Sequence, residues 1–386
     1  MPTPAVREYV AALAPEALPA YVYDLAALRA HAAAVRAALP ERVELYYAAK
    51  ANPEPEILTA LAPSVTGYEV SSGGELAHVR AAVPHLPLAF GGPGKTPAEI
   101  AEALALGVER FHVESEHELH LLAQTGRPAD ILLRVNLPAD PRSLDGVALA
   151  MGGRPTPFGL DPDRADACLA LLATPRFRHL RLRGIHAHLA SGLDADAQLG
   201  LAENIVAWAV QRNATEVNIG GGMAVDYSDP AALFDWPRFG TGLARLLDRH
   251  PGLILRIEPG RSLTAYCGWY ATEALDLKLS HGAAFAVLRG GTHHLRTPAA
   301  KSHNQPFTIL PDPRWPHPWP RPTIRDTPVT LTGQLCTPKD VLAHQIPCQE
   351  LRAGDRVIFG LAGAYAWNIS HHDFLMHPRP GFHFQR

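Results

Sequence analysis

Lysine is scarce in this sequence. Five of the 35 basic residues are lysines, at positions 50, 95, 278, 301 and 339, and the other thirty are arginines. Arginine therefore covers nearly every ordinary surface cation role, and a lysine in an apolar setting points to amine chemistry that a guanidinium cannot perform. Cysteine is equally sparse. Residues 168, 267, 336 and 348 show no CxxC spacing, which argues against a disulfide framework or a thiolate zinc site and fits reduced thiols in the cytoplasm. No run of roughly eighteen apolar residues occurs, so no membrane span is expected. The N-terminus has no apolar stretch behind a basic segment, so a secretory signal is not expected. Charge of one sign is also lacking. The formal net charge is -3 and the pI about 6.7, which leaves no basic field to favour nucleic acid.

What is present is length and apolar content. With 386 residues, 47% of them hydrophobic, the chain can bury a large core and is expected to form two domains. Residues 5–18 carry a weak helical pattern, 20–24 read as a short strand and 25–39 as an Ala-rich helix. An alternation then begins. Strand-length apolar runs fall at 44–49, 66–70, 87–90, 110–113, 130–135, 182–189, 216–219 and 253–257. Helical segments lie between most of them, at 54–62, 74–82, 97–106, 115–124, 162–172 and 196–211. Eight strand-then-helix units predict an α/β fold closed as a (β/α)8 TIM barrel, with a doubly wound open sheet as the alternative. After Arg261 the rhythm changes to strand-like runs at 269–277, 284–288, 307–310, 328–333 and 356–360, without regular helices. The predicted division is a barrel over 25–262 and a mainly β domain built from 263–386 plus 1–24. A long segment, 138–159, follows the fifth strand and has the length of a lid.

Polar residues and glycines collect where the barrel strands end, which is where barrel enzymes keep their chemistry. The first strand delivers Lys50 in the stretch Glu44-Leu-Tyr-Tyr-Ala-Ala-Lys50-Ala-Asn-Pro53. A lysine so placed can form a Schiff base with a carbonyl compound; by itself the stretch also fits a snorkelling side chain. Glu69 and Ser71 close the second strand. His186 and His188 lie two apart on the sixth and are followed by Ser191. Gly220-Gly221-Gly222 follow the seventh, and Glu258-Pro-Gly260-Arg261 the eighth. Barrels often bind phosphate beyond strands seven and eight, where glycine lets backbone N–H groups approach oxygen and arginine adds a charged donor. Glu258, in Leu-Arg-Ile-Glu, should point into the barrel mouth and needs a cationic partner: Arg261, or a protonated ring nitrogen on a ligand. A Schiff-base lysine, a phosphate cradle and a carboxylate for a ring nitrogen together describe a site for pyridoxal 5'-phosphate.

The motifs Tyr-Ala-Ala-Lys50-Ala-Asn, His186-Ala-His188-Leu-Ala-Ser191, Gly220-Gly-Gly222, Glu258-Pro-Gly-Arg261, Gly333-Gln-Leu-Cys336 and Gly363-Ala-Tyr365 occur in an order that resembles the fold-type III pyridoxal phosphate decarboxylases. That group includes the diaminopimelate and ornithine decarboxylases and alanine racemase-like barrels. The resemblance covers about residues 20–380. It implies that Lys50 carries the cofactor, that Glu69 stands near that linkage and that His188 stacks on the ring. It assigns Ser191, Gly220, Gly221, Gly222, Gly260, Arg261 and Tyr365 to the phosphate and Glu258 to the ring nitrogen. It further implies a homodimer with shared active sites, in which Cys336 of the partner subunit protonates the product.

Departures narrow the substrate. Arg296, in Gly290-Gly-Thr-His-His-Leu-Arg296, resembles the arginine with which diaminopimelate decarboxylases bind a distal carboxylate. The tyrosine expected four residues later is Ala300, and the glutamate expected after the cysteine is Thr337. The segments 336–340 and 363–378 are similar to those of decarboxylases from citrate-based siderophore pathways of the staphyloferrin B type. A larger anionic substrate would suit Arg154, Arg296 and His371 as further donors. The alternatives are a free diamino acid as substrate, diaminopimelate above all, or a non-catalytic regulatory homologue, which intact Lys50 and Cys336 argue against. Two histidine-rich groups, 112–120 and 371–377, match no ligand signature and are read as solvated, with no metal expected.

Overall fold

The structure is a computed structural model that describes residues 1–138, 149–301 and 303–386. Its contacts divide the chain into two units, one of residues 29–224 and 234–263, the other of 1–28, 225–233 and 264–386.

The first unit holds a closed barrel of eight parallel strands: Val43–Ala48, Gly67–Val70, Leu88–Phe90, Arg110–Val113, Ala129–Arg134, Leu180–His186, Glu216–Asn218 and Ile254–Ile257. The ring closes where Leu255 and Ile257 pair with Val43 and Leu45. These are the runs expected from the sequence, and their closure decides for the barrel over the open sheet. The sixth strand stops at His186. The Ala187 N–H still reaches the carbonyl of Asn218 at 2.8 Å, after which the chain leaves the sheet.

The outer helices start directly beyond the strand ends because a capping side chain waits there. Ser72, Thr96, Ser115 and Asp194 each accept a hydrogen bond from a backbone N–H of the first helical turn, and Thr96 completes a capping box with Glu99. Each such cap contributes about 1 kcal/mol. The structure adds Trp236–Asp248 between the seventh and eighth strands. It begins at the Asp235 cap and buries Trp236, Phe239, Leu243, Leu246 and Leu247 along one stripe.

A charged network lies inside the barrel near the N-terminal ends of the strands. The Arg256 guanidinium is fully buried, stacks 3.9 Å from the Tyr46 ring centroid and pairs with Glu44 at 2.5 Å, with Glu109 and Glu216 close by. Arg110 binds Glu216 through two nitrogens. Arg256 lies on the eighth strand and Glu258 directly beyond its end, two residues on, so both point inward, one toward each end of the barrel.

The second unit is an eight-stranded sheet in the order Phe307–Leu310, Arg356–Phe359, Gly268–Ser280, Ala283–Leu288, Val329–Thr332, Val341–Ile346. The N-terminal strand Ala20–Asp24 joins it, antiparallel to Gly268–Ser280 and parallel to Gly381–Gln385. Helix Pro4–Ala12 buries Val6 and Val10 in a cluster with Leu18, Val22, Trp269 and Ile358. The Arg356 guanidinium holds its C-terminal end through the carbonyls of Val10 and Leu13. The expectation of no regular helix in this region is corrected by one short helix, Thr297–Lys301.

Of the segment 138–159 read as a lid, residues 139–148 lie outside the described residues. From 149 onward the chain is tied to the segment after the sixth strand. Leu149–Ala150 pairs with Ala190–Ser191, and the N–H groups of Met151 and Gly152 both reach the Leu189 carbonyl.

Candidate active site

At the mouth of the barrel, Lys50 stands in a single 3-10 turn, Ala49–Ala51, that prolongs the first strand. Its Nζ donates to Glu69 Oε2 at 2.6 Å and lies 3.4 Å from Ser71 Oγ. Glu69, buried on the second strand, also accepts from Ser71 Oγ at 2.8 Å. The lysine side chain is 48% exposed. Although it follows an apolar run, Lys50 is half-exposed and ion-paired, because the turn lifts it out of the strand.

A further acid, Glu75, belongs to none of the sequence motifs. It opens the next helix and accepts the Ser71 N–H at 2.7 Å. Burial, with the charge of Glu69 second, pushes its carboxyl up to about 7.

Glu258 is the centre of a buried group. Asn218 Nδ2 donates to its Oε1 at 2.6 Å and His186 Nε2 lies 3.2 Å from its Oε2. The His186 ring stacks on that of His112, centroids 4.3 Å apart. Burial, followed by His186 for His112 and by Arg134 for His186, holds both imidazoles well below their ordinary pKa. Both rings are thus neutral near pH 7, and His186 presents an N–H to the carboxylate. One ligand atom from each of His112, His186 and Glu258 lies within 4.8 Å of the others. His112 therefore belongs to the barrel interior, not to a solvated cluster with its sequence neighbours. Arg134, on the fifth strand, is itself paired with Glu114 at 2.7 Å.

His188 is held from two sides. The Gly221 N–H donates to its Nδ1 at 3.0 Å, so the neutral ring carries its proton on Nε2, 3.4 Å from Ser191 Oγ. Burial, then Arg134 and Lys50, push its pKa down to about 3. The three glycines form a cradle that side chains would fill. A Cβ on Gly220 would meet His188 Nδ1 at 2.3 Å and one on Gly222 the Ala190 carbonyl at 2.2 Å, both at positive φ. The Gly220 N–H is given to Asn218 Oδ1 and the Gly221 N–H to His188. The Gly222 N–H makes no hydrogen bond among the described residues. Gly260 and Arg261 follow the eighth strand, partly exposed.

The barrel thus groups Lys50, Glu69, His188, Ser191, Gly220–Gly222, Glu258, Gly260 and Arg261 at the C-terminal ends of its strands. Arg154 belongs to this unit too, but it lines a cavity of about 760 Å³ whose wall includes Glu114, Glu116 and Asp161.

The other expected residues lie in the β unit. Arg296, Thr337 and His371 line one cavity of about 660 Å³, and Arg296 Nη1 donates to His371 Nδ1 at 2.9 Å. Cys336 is exposed. The loop that carries it is pinned by Asp340, whose carboxylate accepts the N–H groups of Thr292 at 2.6 Å and Leu335 at 2.9 Å. Tyr365 has a φ of 49° and its carbonyl accepts from Thr297 Oγ1. Of the histidines read as solvated, His372 stacks on Trp367 and His377 bonds Gln334.

A closed parallel barrel with an amine beyond its first strand, a side-chain-free cradle beyond its seventh and an inward carboxylate at its eighth defines the class of barrel enzymes that carry pyridoxal phosphate. The residues present fit that group. The cradle has room for a phosphate only because it lacks Cβ atoms, the Gly222 N–H is available to an acceptor, and the Lys50 amine is reachable from solvent.

The chain belongs to the pyridoxal-dependent decarboxylases. Residues 25–265 match the pyridoxal-binding domain of that family. The chain is 40% identical, over 94% of its length and 92% of the relative's, to 2-[(L-alanin-3-ylcarbamoyl)methyl]-2-hydroxybutanedioate decarboxylase of Staphylococcus aureus. It is 32% identical to diaminopimelate decarboxylase of Actinosynnema pretiosum, covering 90% of this chain and 79% of that one. The fold is shared with diaminopimelate decarboxylase of M. jannaschii in complex with L-lysine, with a TM-score of 0.83 at 22% identity, over 95% of this chain and 87% of that one. The protein is accordingly a pyridoxal phosphate-dependent carboxy-lyase.

Proposed function

We propose that the substrate is an amino acid joined to citrate through an amide, decarboxylated at the amino-acid carboxylate in the assembly of a siderophore. The observation that carries this reading is the 40% identity, over nearly the whole of both chains, to a decarboxylase whose named substrate is a hydroxybutanedioate bearing an alanyl arm. The absence of the two groups expected to read diaminopimelate, whose places are taken by Ala300 and Thr337, supports it.

Pyridoxal phosphate, when bound, supplies the ring that takes up the electron pair left as CO2 departs. In this reading Lys50 attaches the cofactor and Glu69 keeps the amine in place. Gly222 N–H, Ser191, Gly260 and Arg261 hold the phosphate. Gly220 and Gly221 contribute by having no side chain, since their own N–H groups are committed within the protein. His188, whose tautomer is set by Gly221, would pack on the ring of the bound cofactor. Glu258, oriented by Asn218 and His186, holds a proton on the ring nitrogen. The partner subunit's Cys336 returns a proton to the carbon that lost CO2, which makes the working form a homodimer. A cytoplasmic location accords with four free thiols.

The deciding experiment measures CO2 release by the purified holoenzyme from citryl-2,3-diaminopropionate and from meso-diaminopimelate. The conjugate is expected to be the better substrate by kcat/KM. Preference for diaminopimelate would overturn the proposal in favour of the free diamino acid.

A further inference from the structure

Two imidazole nitrogens of the barrel interior are buried with no hydrogen-bond partner among the described residues, His112 Nε2 and His186 Nδ1. The second is the bare nitrogen of a ring whose other nitrogen, Nε2, serves Glu258 at 3.2 Å. The first serves no group in the protein. A buried N–H left unpaired costs stability, and an apolar ring of the same shape would avoid that cost. His112 is 1% exposed, on the fourth strand, a position that phenylalanine could fill.

The surroundings hold the His112 ring in one place. Its face lies on His186, centroids 4.3 Å apart and planes 22° from parallel. Lys95, from the loop after the third strand, donates to its backbone carbonyl at 2.7 Å. Gly91 leaves it room, since a Cβ there would stand 3.4 Å from His112 Nδ1 and 3.0 Å from Glu69 Oε1. So held, His112 Nε2 stops 3.7 Å from Glu258 Oε1, just outside hydrogen-bond distance. A bare nitrogen there would be repelled by the carboxylate, so the neutral ring carries its proton on Nε2. Arg256 and Lys95 are the cations that act on this ring, and burial outweighs the pull of Glu258 and keeps it uncharged.

The acceptor positions of Glu258 give this N–H a use. A carboxylate offers about four. Asn218 fills one on Oε1 and His186 one on Oε2. A ring nitrogen would take a third. His112 Nε2, on the Oε1 side, is placed to take the fourth. Among the described residues no lysine or arginine pairs with Glu258, whose ion-pair neighbours are the two neutral histidines. The carboxylate is therefore fixed by neutral donors and left without a cation of its own.

We propose that His112 is a positioning residue of the reaction, whose Nε2–H closes on Glu258 Oε1 when a ring nitrogen is seated on the carboxylate and keeps that carboxylate from turning away. Asn218, His186 and His112 then hold Glu258 through three neutral donors, and the protonated ring nitrogen brings the positive charge. The unpaired N–H of the empty barrel is the cost of having that third donor ready in place. This inference rests on the proposed pairing of Glu258 with the ring nitrogen and adds the residue that makes the pairing firm. It can be tested without turnover.

The test compares two ligands that differ at one position, pyridoxal phosphate and its 1-deaza analogue, which has C–H in place of the ring nitrogen. Their Kd values are measured by fluorescence titration of the full chain freed of cofactor, in the wild type and in His112→Phe, His112→Asn, His112→Gln and Glu258→Gln. The wild type is expected to prefer pyridoxal phosphate. His112→Phe keeps the stacked ring without the donor, and His112→Asn places its amide short of Glu258. Each should cut the preference about tenfold, the loss of one charge-assisted contact. His112→Gln can bring an N–H to the place of Nε2 and should keep most of the preference. Thermal unfolding checks that each variant is folded. If His112→Phe is not, the contrast between His112→Asn and His112→Gln decides. An unchanged preference in His112→Phe and His112→Asn, or an equal loss of affinity for both ligands, would overturn the role of His112; with the preference abolished in Glu258→Gln, the ring-nitrogen pairing would stand. A preference that survives Glu258→Gln would reject that pairing itself, and this inference with it.

Discussion

The Lys50 amine and the Glu69 carboxylate meet at 2.6 Å across two adjacent barrel strands, with the lysine half-exposed and the glutamate buried. The pair keeps a reactive amine at a solvent-accessible point and gives it a fixed direction. Lys95, by contrast, is buried among the carbonyls of Gly92 and His112 and the carboxylate of Glu118, a structural role.

Lys50→Ala should therefore abolish covalent attachment of pyridoxal phosphate. Borohydride reduction followed by peptide mass analysis is expected to find the cofactor on Lys50 in the wild type and on no residue in the variant. Attachment at Lys95 or Lys339 would refute the assignment.

Glu258→Gln should bind the cofactor and lose most of the rate, by roughly 10². The amide cannot hold a ring proton as a carboxylate does. Asn218→Leu removes one of the two hydrogen bonds that orient Glu258 and is expected to cost about tenfold in kcat. Normal turnover by Glu258→Gln, with cofactor content checked by absorbance, would contradict the ring-nitrogen role.

Stability should fall as pH rises past the ordinary glutamate range, in part through Glu75. Its carboxyl titrates near 7 when folded, against an ordinary value of 4.5. Between these values the folded protein keeps a proton that the unfolded chain has released. The contribution is absent below pH 4.5, grows unfavourable through the window and is largest above 7. Glu75→Gln should flatten this dependence and raise the Tm at pH 8 by about 2–4 °C. A Tm difference independent of pH would rule out Glu75 ionisation as its origin.

Arg256→Met should destabilise the barrel by about 3–5 kcal/mol, because Glu44, Glu109 and Glu216 would lose the charge they surround. The midpoint of urea unfolding reports this. A variant as stable as the wild type would show that the network is solvated in solution.

Mixed dimers test the proposed sharing of the site between subunits. Lys50→Ala and Cys336→Ala proteins should each be inactive alone. After random subunit exchange about half the dimers carry one intact site, giving roughly a quarter of wild-type activity. No recovery, with exchange confirmed by mass spectrometry, would exclude a site shared between subunits.

What the sequence determined by itself was local. Strand-length apolar runs alternating with helical segments, and glycines at strand ends, are properties of neighbours along the chain. They placed the eight barrel strands within a few residues, and with them Lys50, Glu69, Gly220–Gly222 and Glu258 at the strand ends. Tertiary structure decided the rest, because it depends on residues far apart in the chain. Closure of the barrel stacked His112 on His186, 74 positions later, and made the two rings neutral supports for Glu258. The turn after the first strand made Lys50 half-exposed, where an apolar neighbourhood in sequence suggested burial. The cavity lined by Arg296, Thr337 and His371 joins segments near 300, 340 and 371. No periodicity links them, since only packing of the β unit brings their side chains to one wall.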